Sequence, residues 1–480
     1  MNRKIVFNIT GKILEAMALI LLLPALVAFV YKEESLFAFL VTALVSLVFG
    51  FLLRTLTRNY SKVLYAKEGF LIVALAWLCA SLVGCLPFII SGELPRFADA
   101  FFETVSGFTT TGASVAPDVE SFSHAILFWR SFTHWIGGMG VLVFIVAFAN
   151  NISDRAIHIL RAEMPGPVVG KIVPRSKDTS KVLYVMYIVM TLVQILLLWM
   201  GEMNLFESII HTLGTAGTGG FGLKSDGIAG YSAYSQWIIT VFMLVFGVNF
   251  NLYYLLIIRR FRAVLKSTEL WTYLGIVAFS VCAIAININS LYPTLGESIR
   301  HAAFQVSSIV STTGFSTADF VAWPSFSKEI LLILMFTGAC AGSTAGGLKI
   351  SRVVILVKMA FREIKKMVHP RSVGSVKFDG KDVDENTKSS ITTYFAIYMM
   401  CIFATFLLLS LEPFDFETNF TATVTCFNNV GPGISKLIGP MGSFAGYSDF
   451  SKILLAFVML FGRLEIFPML IAFTPSTWRK

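Results

Sequence analysis

Long apolar stretches separated by short polar ones make up most of this chain. A helix needs about 20 apolar residues to cross the hydrocarbon layer of a membrane. Ten stretches approach that length, at residues 13–30, 36–53, 70–90, 126–149, 183–200, 237–258, 270–289, 330–357, 391–411 and 453–473. We therefore predict ten membrane-spanning helices, and the even number places both termini on the same side.

Four shorter runs interrupt this series, and each is too brief to cross. They are FADAFFETVSGF, NLFESIIHTLG, LGESIRHAAFQVSSIV and DFETNFTATVTCF. Each run follows a span and leads into a polar, glycine-bearing turn and then a second span. The turns are TTTGAS (109–114), GTGGFG (217–222), STTGFS (311–316) and NNVGPG (428–433). The plan recurs at intervals of roughly one hundred residues, which indicates an internal repeat.

The predicted fold class is an all-α membrane protein with four parallel helix–pore-loop–helix repeats in pseudo-fourfold symmetry around one pore, plus two N-terminal transmembrane helices. The two extra helices occupy 1–69 and the first repeat 70–150. A cytoplasmic loop and the second repeat occupy 151–262, and the third repeat, with an intramembrane gate loop and a cytoplasmic loop, occupies 263–389. The fourth repeat is 390–480. Because each repeat begins and ends on one side, the repeats are not inverted as in many secondary transporters.

Composition identifies lipid as the solvent of the chain. Hydrophobic residues make up 56% of it, charged residues only 14%, and the mean hydropathy is +0.74, so a water-soluble globule would expose large apolar faces. The net charge of +9 is concentrated in one set of loops, including 54–67, 155–181, 259–266 and 349–388, whereas the opposite loops are acidic. By the positive-inside rule the basic loops and both termini are cytoplasmic. Nucleic acid is not needed to explain the charge.

The glycine-bearing turns indicate a site for a dehydrated cation. Irregular backbone at membrane depth is tolerated only where protein or a watery cavity satisfies it, and glycine lets successive carbonyls face one side. Four such turns around an axis would stack carbonyl oxygens able to replace the hydration shell of potassium. The negative C-terminal end of each preceding short helix favours a cation there. The predicted filter residues are Thr110, Thr111, Gly112, Thr218, Gly219, Gly220, Thr312, Thr313, Gly314, Asn429, Val430 and Gly431.

A single Gly/Thr-rich turn is ordinary loop punctuation. Here the turn occurs four times, each time after a short helix and before a span. The recurrence favours the filter over the loop interpretation.

A second signal is TGACAGSTAGG (337–347), eleven small residues inside the eighth predicted span. Small residues in a membrane helix often mark close helix packing. Four glycines and two hydroxyls, however, make a continuous helix costly, so we predict a flexible loop beneath the turns. Leu348 stands where a phosphate-binding loop requires lysine, and no strand precedes the stretch, which argues against a nucleotide site.

Arg463 lies close to the middle of the tenth predicted span. An arginine at the membrane centre costs about 2.5 to 3.5 kcal/mol, so it requires a partner or a wet cavity. Structural pairing with carbonyls of another helix is one interpretation, and a positive barrier that acts with the loop below the turns is the preferred one. Glu465 is off the helical face of Arg463 and a poor intrahelical partner. The predicted gate residues are Gly338, Gly342, Ser343, Thr344, Gly346, Gly347, Lys349 and Arg463.

Four motifs carry a family resemblance: TTTGAS, FWRSFTHWIGGMG (128–140), GFST (314–317) and NNVGPG. Together they resemble the TrkH/TrkG/KtrB family of bacterial potassium-uptake proteins over roughly residues 70–474. The two spans before the first repeat are similar to the TrkH branch rather than the eight-span KtrB branch. The second and fourth turns depart most from the Thr-Thr-Gly pattern. For Arg130 and His134 we expect packing and hydrogen bonding behind the first turn.

The resemblance has further implications. It implies potassium as the transported ion, no cofactor in this chain, and a homodimer in the bacterial cytoplasmic membrane with one pore in each protomer. It also implies a cytosolic TrkA-like ring of regulatory subunits that binds nucleotide (ATP/ADP or NAD), a gating role for 337–347, and a matching role for Arg463. The basic segments 150–182 and 349–389 could dock that ring or only hold the positive side inside.

Two alternatives stay open at this point. A sodium-coupled or less selective alkali-cation transporter of the same superfamily, similar to KtrB, would share these features. A membrane-embedded enzyme would need a nucleophile with its base, paired carboxylates or a metal cluster. The six histidines are scattered and the six cysteines lack metal-ligand spacing. We therefore expect free thiols, no zinc site and no enzyme.

Overall fold

The computed structural model describes residues 2–59, 66–140, 177–371 and 374–478. Regular structure within these ranges is almost wholly helical. The helices are Arg3–Ile20, Leu22–Tyr31, Ser35–Leu56, Ala66–Gly84, Leu86–Ser91, Phe97–Phe108, His124–Gly138, Lys177–Trp199, Leu205–Ala216, Ala233–Phe246, Phe250–Ile257, Phe261–Leu265, Thr268–Asn287, Leu295–Val310, Ser325–Thr337, Ile350–Val368, Glu385–Leu409, Phe416–Asn428, Asp449–Arg463, Phe467–Phe473 and Pro475–Trp478. The strands are Lys377–Phe378 and Lys381–Asp382.

Six helical stretches of the described residues are long and apolar enough to cross a membrane. They are Arg3–Tyr31, Ser35–Leu56, Lys67–Ser91, Val182–Trp199, Thr268–Asn287 and Glu385–Leu409. These stretches coincide with six of the ten predicted spans. The molecule is therefore a multi-pass helical membrane protein.

Two predicted continuous spans are broken, and the prediction is wrong for both. Residues 237–258 form two helices, Ala233–Phe246 and Phe250–Ile257, that meet at 88°. The second helix begins after Asn249, whose side chain caps it by accepting from the amide of Asn251 at 2.9 Å. In 453–473 the helix stops at Arg463, and Glu465 and Ile466 take left-handed φ values of 59° and 60°.

The remaining two predicted spans also depart from a simple helix. The break predicted inside 330–357 is present, between helices Ser325–Thr337 and Ile350–Val368. In 126–149 the helix ends at Gly138. Residues 141–149 of that span and 150–176 of the predicted cytoplasmic loop lie outside the described residues.

Four short helices match the predicted non-crossing runs, and we name them pore helices 1 to 4. They are Phe97–Phe108, Leu205–Ala216, Leu295–Val310 and Phe416–Asn428. Side-chain caps start the last three: Asn204, Thr294 and Asp415 each accept from the backbone amide three residues later. Their C-terminal halves are buried in protein, away from lipid.

The N-terminal helices brace the first repeat. The carboxylate of Glu33, between the second and third helices, accepts from the amides of His124 and Ala125 at 2.7 and 3.0 Å. The Tyr31 ring stacks on His124 with 4.0 Å between centroids. The start of helix His124–Gly138, which runs behind the first turn, is thereby fixed.

A small hairpin lies between helices Ile350–Val368 and Glu385–Leu409. Its two strands pair antiparallel, and Asp379 and Gly380 form the connecting turn with φ values of 49° and 75°. Its inner side chains, at Val376, Phe378 and Val383, are buried in the core around the third repeat. The hairpin (residues 374–384) thus packs against the membrane part of the molecule.

Candidate functional site

Each pore helix leads into a turn with the same backbone conformation. We name the triplets 110–112, 218–220, 312–314 and 429–431 turns 1 to 4. The first residue is left-handed in each: φ is 57° at Thr110, 55° at Thr218, 56° at Thr312 and 55° at Asn429. The third is a glycine of positive φ: 78° at Gly112, 79° at Gly220, 88° at Gly314 and 102° at Gly431. The middle residue is not left-handed. Such an alternation permits successive carbonyls to face one side of the chain.

The four turns touch one another in cyclic order. Each glycine approaches the carbonyl oxygen of the middle residue of the next turn. A Cβ added to Gly112 would lie 2.0 Å from the carbonyl oxygen of Gly219, and one added to Gly220 would lie 2.0 Å from that of Thr313. The corresponding distance is 2.4 Å from Gly314 to Val430 and 2.7 Å from Gly431 to Thr111. The fourth turn therefore closes on the first, and no side chain fits at the glycines.

The middle amide of each turn donates a hydrogen bond, whereas the turn carbonyls have no backbone donor among the described residues. Each middle amide donates to the pore-helix carbonyl five residues back: Thr111 to Ser106, Gly219 to Gly214, Thr313 to Ser308 and Val430 to Thr425. Within the described ranges, no backbone hydrogen bond ends on a carbonyl of the twelve turn residues. Uncompensated carbonyls in a buried position favour a bound cation.

Arg130 and Glu103 form a buried ion pair behind the segment that follows turn 1. Arg130 Nη2 lies 2.7 Å from Glu103 Oε1, and the same carboxylate accepts from the Ser114 hydroxyl and the Val115 amide, both at 2.9 Å. The guanidinium also lies 4.1 Å from the centre of the Phe221 ring, beyond turn 2. Arg130 shares the lining of one cavity with the four turn glycines. Its guanidinium is thus held by protein groups beside the turns and also borders the cavity that the turn glycines line.

His134 explains why turn 2 lacks a second threonine. Its Nδ1 lies 2.7 Å from the carbonyl oxygen of Gly107, and its Nε2 accepts from the amide of Phe221 at 3.2 Å. A Cβ on Gly219 would lie 2.2 Å from the ring. The imidazole thus occupies the space that a side chain has in turns 1 and 3.

Asn429 explains the departure of turn 4. Its Nδ2 donates to the hydroxyl of Thr111 at 2.9 Å and to the carbonyl of Met459 at 3.0 Å. A threonine is too short to make both bonds. The amide side chain therefore joins turn 4 to turn 1.

The small-residue loop (residues 338–349) touches the turns on the pore-helix side. The amide of Gly346 donates to the hydroxyl of Thr312 at 2.7 Å, and a Cβ on Gly346 would lie 2.6 Å from the carbonyl oxygen of Asn428. Gly338 and Gly347, with φ of 63° and 76°, approach each other at the neck of the loop. Ser343, Thr344 and Lys349 are buried within it.

The same loop fills the bend of the second repeat. Cys340 donates its amide to the carbonyl of Gly247 at 3.1 Å, and Phe250 donates to the carbonyl of Gly342 at 3.0 Å. The hydroxyl of Thr344 donates to the carbonyl of Phe246 at 3.3 Å. Two interrupted helices therefore satisfy each other's backbone groups, which sequence patterns did not predict.

Arg463 bridges the small-residue loop and the end of helix His124–Gly138. Its Nη1 donates to the carbonyl of Thr344 at 2.7 Å, and its Nη2 donates to those of Gly137 and Gly138 at 2.6 and 3.0 Å. Lys349 donates to the carbonyl of Ala345 within the loop. The structure thus brings all the predicted gate residues together.

Sequence reasoning missed the partner of Glu465. This carboxylate forms an ion pair with Arg352, because the break after Arg463 turns it away from its own helix. Arg352 also lies 4.0 Å from the centre of the Tyr394 ring. The pair ties the fourth repeat to the helix that follows the small-residue loop.

Comparison with known proteins gives consistent matches along the chain. The model of the TrkH family, described as cation transport protein, matches residues 35–480. The Trk system potassium uptake protein TrkH of Salmonella typhimurium is 35% identical, with 100% of both chains covered. TrkG of Escherichia coli K12 is 33% identical, with 99% of both covered. The crystal structure of the potassium transporter TrkH from Vibrio parahaemolyticus has a TM-score of 0.89 and 32% identity, with 100% of both chains covered.

Proposed function

The chain belongs to the TrkH family of cation transport proteins, and on this premise we propose that potassium ions cross the membrane through the ring formed by turns 1 to 4. The family resemblance predicted from the motifs is confirmed. The chain is a potassium uptake transporter of the Trk family and not an enzyme, so the membrane-enzyme alternative is dropped.

The observation that carries the proposal is the closed contact of four turns with free carbonyls. Carbonyl oxygens replace the hydration shell of a weakly hydrated cation such as potassium. The four pore helices end at these turns, and their C-termini carry partial negative charge. In this proposal the four repeats of 70–480 run parallel around a pseudo-fourfold axis, and the twelve residues of the turns form the filter.

The small-residue loop is proposed as the gate, with Arg463 as a positive barrier beside it. Two contacts support this role: Gly346 touches turn 3, and Arg463 binds the carbonyl of Thr344. An ion that leaves the filter on the pore-helix side would meet the loop, and the guanidinium would repel it. Conduction would then require the loop to move aside.

We extend the proposal to the assembly. Relatives are named as parts of a Trk system, which fits a homodimer with one pore per protomer and a cytosolic TrkA-like ring that binds ATP/ADP or NAD. The basic loops support a bacterial cytoplasmic membrane location with both termini cytoplasmic. Potassium is then the cargo, and this chain carries no cofactor of its own.

Rubidium uptake into proteoliposomes tests the proposal. The purified chain is expected to pass rubidium and potassium down their gradients with sodium absent. Shortening residues 338–346 is expected to raise that flux, because the obstruction is removed. Flux that strictly requires sodium would favour the coupled alternative, and a folded protein that passes no ions even after residues 338–346 are shortened would refute the proposal.

A further inference from the structure

One buried carboxylate fastens both ends of the small-residue loop. Glu269, at the start of helix Thr268–Asn287, is 5% exposed. Its Oε1 accepts from the amide of Ala341 at 2.8 Å and from the amide of Ser351 at 3.1 Å. Ala341 lies near the beginning of the loop, and Ser351 follows its end. A single oxygen atom therefore joins the two points between which the loop is suspended.

We propose that Glu269 is the positioning residue that holds the small-residue loop against the turns, and that the hairpin 374–384 acts on the loop through it. The inference rests on the proposed function, in which this loop controls ion flux. A buried carboxylate is costly unless donors satisfy it. If the loop withdraws from Glu269, two amides lose their acceptor, so this withdrawal is opposed.

The neighbouring residue supplies the connection to the hairpin. Thr268 donates its amide to Asp379 Oδ1 at 2.7 Å, and the amide of Asp379 donates to the Thr268 hydroxyl at 3.3 Å. The hairpin turn is thus bonded to the residue before Glu269. Any displacement of the hairpin moves the start of this helix, and with it the acceptor for both ends of the loop.

The loop contains its own reporter of movement. Cys340 is fully buried and lies next to Ala341. With the other five cysteines replaced by alanine, the rate at which N-ethylmaleimide labels Cys340 in proteoliposomes measures how often the loop opens. Rubidium uptake by the same preparation measures what that opening does to flux.

We expect N-ethylmaleimide to label Cys340 about tenfold faster in Glu269→Ala than in the parent, because two amides lose their acceptor. Glu269→Gln keeps an Oε1 that accepts both bonds, so its labelling is expected to stay within about threefold of the parent. Leu274→Ala, at an exposed position of the same helix, is the matched control and is expected to behave as the parent.

The outcomes separate the inference from the proposed function. Faster labelling together with higher flux supports both. Faster labelling with unchanged flux supports the role of Glu269 and refutes the loop as gate. Labelling of Glu269→Ala equal to the parent, or equal acceleration in the alanine and glutamine variants, overturns the positioning role.

A second pair of variants, at exposed positions of the hairpin, tests the same connection without a substitution at the buried Glu269. Asp379 and Asp382 are both exposed and lie in the same hairpin, but only Asp379 bonds Thr268. Asp379→Ala is expected to accelerate labelling of Cys340 by about threefold, from loss of one such bond, and Asp382→Ala to leave it unchanged. Equal labelling of the two variants would overturn the link from the hairpin to the loop.

Discussion

The backbone amide of Gly346 donates a 2.7 Å hydrogen bond to the hydroxyl of Thr312. This bond joins the small-residue loop directly to turn 3. The corresponding hydroxyl of turn 2, on Thr218, instead donates to the carbonyl of its neighbour Gly217. The loop is therefore attached to one side of the ring, and the two threonines offer a matched comparison.

Thr312→Val is expected to raise basal rubidium flux. Valine preserves the shape of threonine but leaves the buried amide of Gly346 without an acceptor, which costs the closed loop about 1 to 3 kcal/mol. Thr312→Ser restores the acceptor and is expected to restore low flux. Thr218→Val serves as the control in the same proteoliposome assay. Equal flux in the two valine variants would show that the contact has no role in closure.

Gly314→Ser is expected to lower selectivity for potassium over sodium. Gly314 has a φ of 88°, and an added Cβ would lie 2.4 Å from the carbonyl oxygen of Val430, so the carbonyl ring must distort. The inhibition of rubidium uptake by potassium and by sodium gives the ratio. Gly275→Ser, where a Cβ meets nothing within 4 Å, is the control. An unchanged ratio in Gly314→Ser would remove turn 3 from the filter.

Arg463→Ala is expected to increase basal flux, since both the positive charge and the bonds to the loop are lost. Arg463→Lys keeps the charge but not the planar fork that reaches Thr344 and Gly137 together, so its flux is expected to lie between the two. Measurement is rubidium uptake per folded protein. If the alanine variant is less stable but conducts as the parent does, the arginine has only the structural role of pairing with helix carbonyls.

Removal of one partner of the Glu103–Arg130 pair is expected to destabilise the protein severely. The two side chains are 0% and 2% exposed, and a buried charge left without its partner costs about 3 to 5 kcal/mol. Arg130→Met should therefore lower the thermal unfolding temperature in detergent far more than Arg54→Met. Arg54 pairs with Glu15 at the surface, with 44% and 21% exposure, where a pair contributes about 1 kcal/mol or less. Similar shifts would contradict this.

Much of the architecture follows from short patterns in the sequence. The apolar run FADAFFETVSGF predicts pore helix 1 at its observed bounds of Phe97–Phe108, because a glycine-bearing turn ends it. The repeated turn motif predicted the shared backbone conformation of turns 1 to 4, since glycine at a fixed offset marks the position of positive φ. Likewise, the small residues of 337–347 predicted the break between helices Ser325–Thr337 and Ile350–Val368.

Features that depend on partners distant in the chain were not predictable. Asn249 is a local helix-capping signal, but the size of the 88° bend depends on a loop about 90 residues further along the chain that fills it. The helical spacing of Glu465 from Arg463 predicted only that it is a poor intrahelical partner. The left-handed backbone at Glu465 directs its side chain to Arg352 instead. The bonds of Glu269 come from two amides that lie 72 and 82 residues further along the chain, and no local pattern records them.

The ring of turns is encoded by one polypeptide, so its quadrants are free to differ. A pore assembled from four identical subunits changes all its quadrants with every substitution. Here the His134 ring beside Gly219 makes turn 2 different from the others, and the side-chain amide of Asn429 does the same for turn 4. A single codon change alters one quarter of the ring, so evolution can adjust such a conduit in small asymmetric steps.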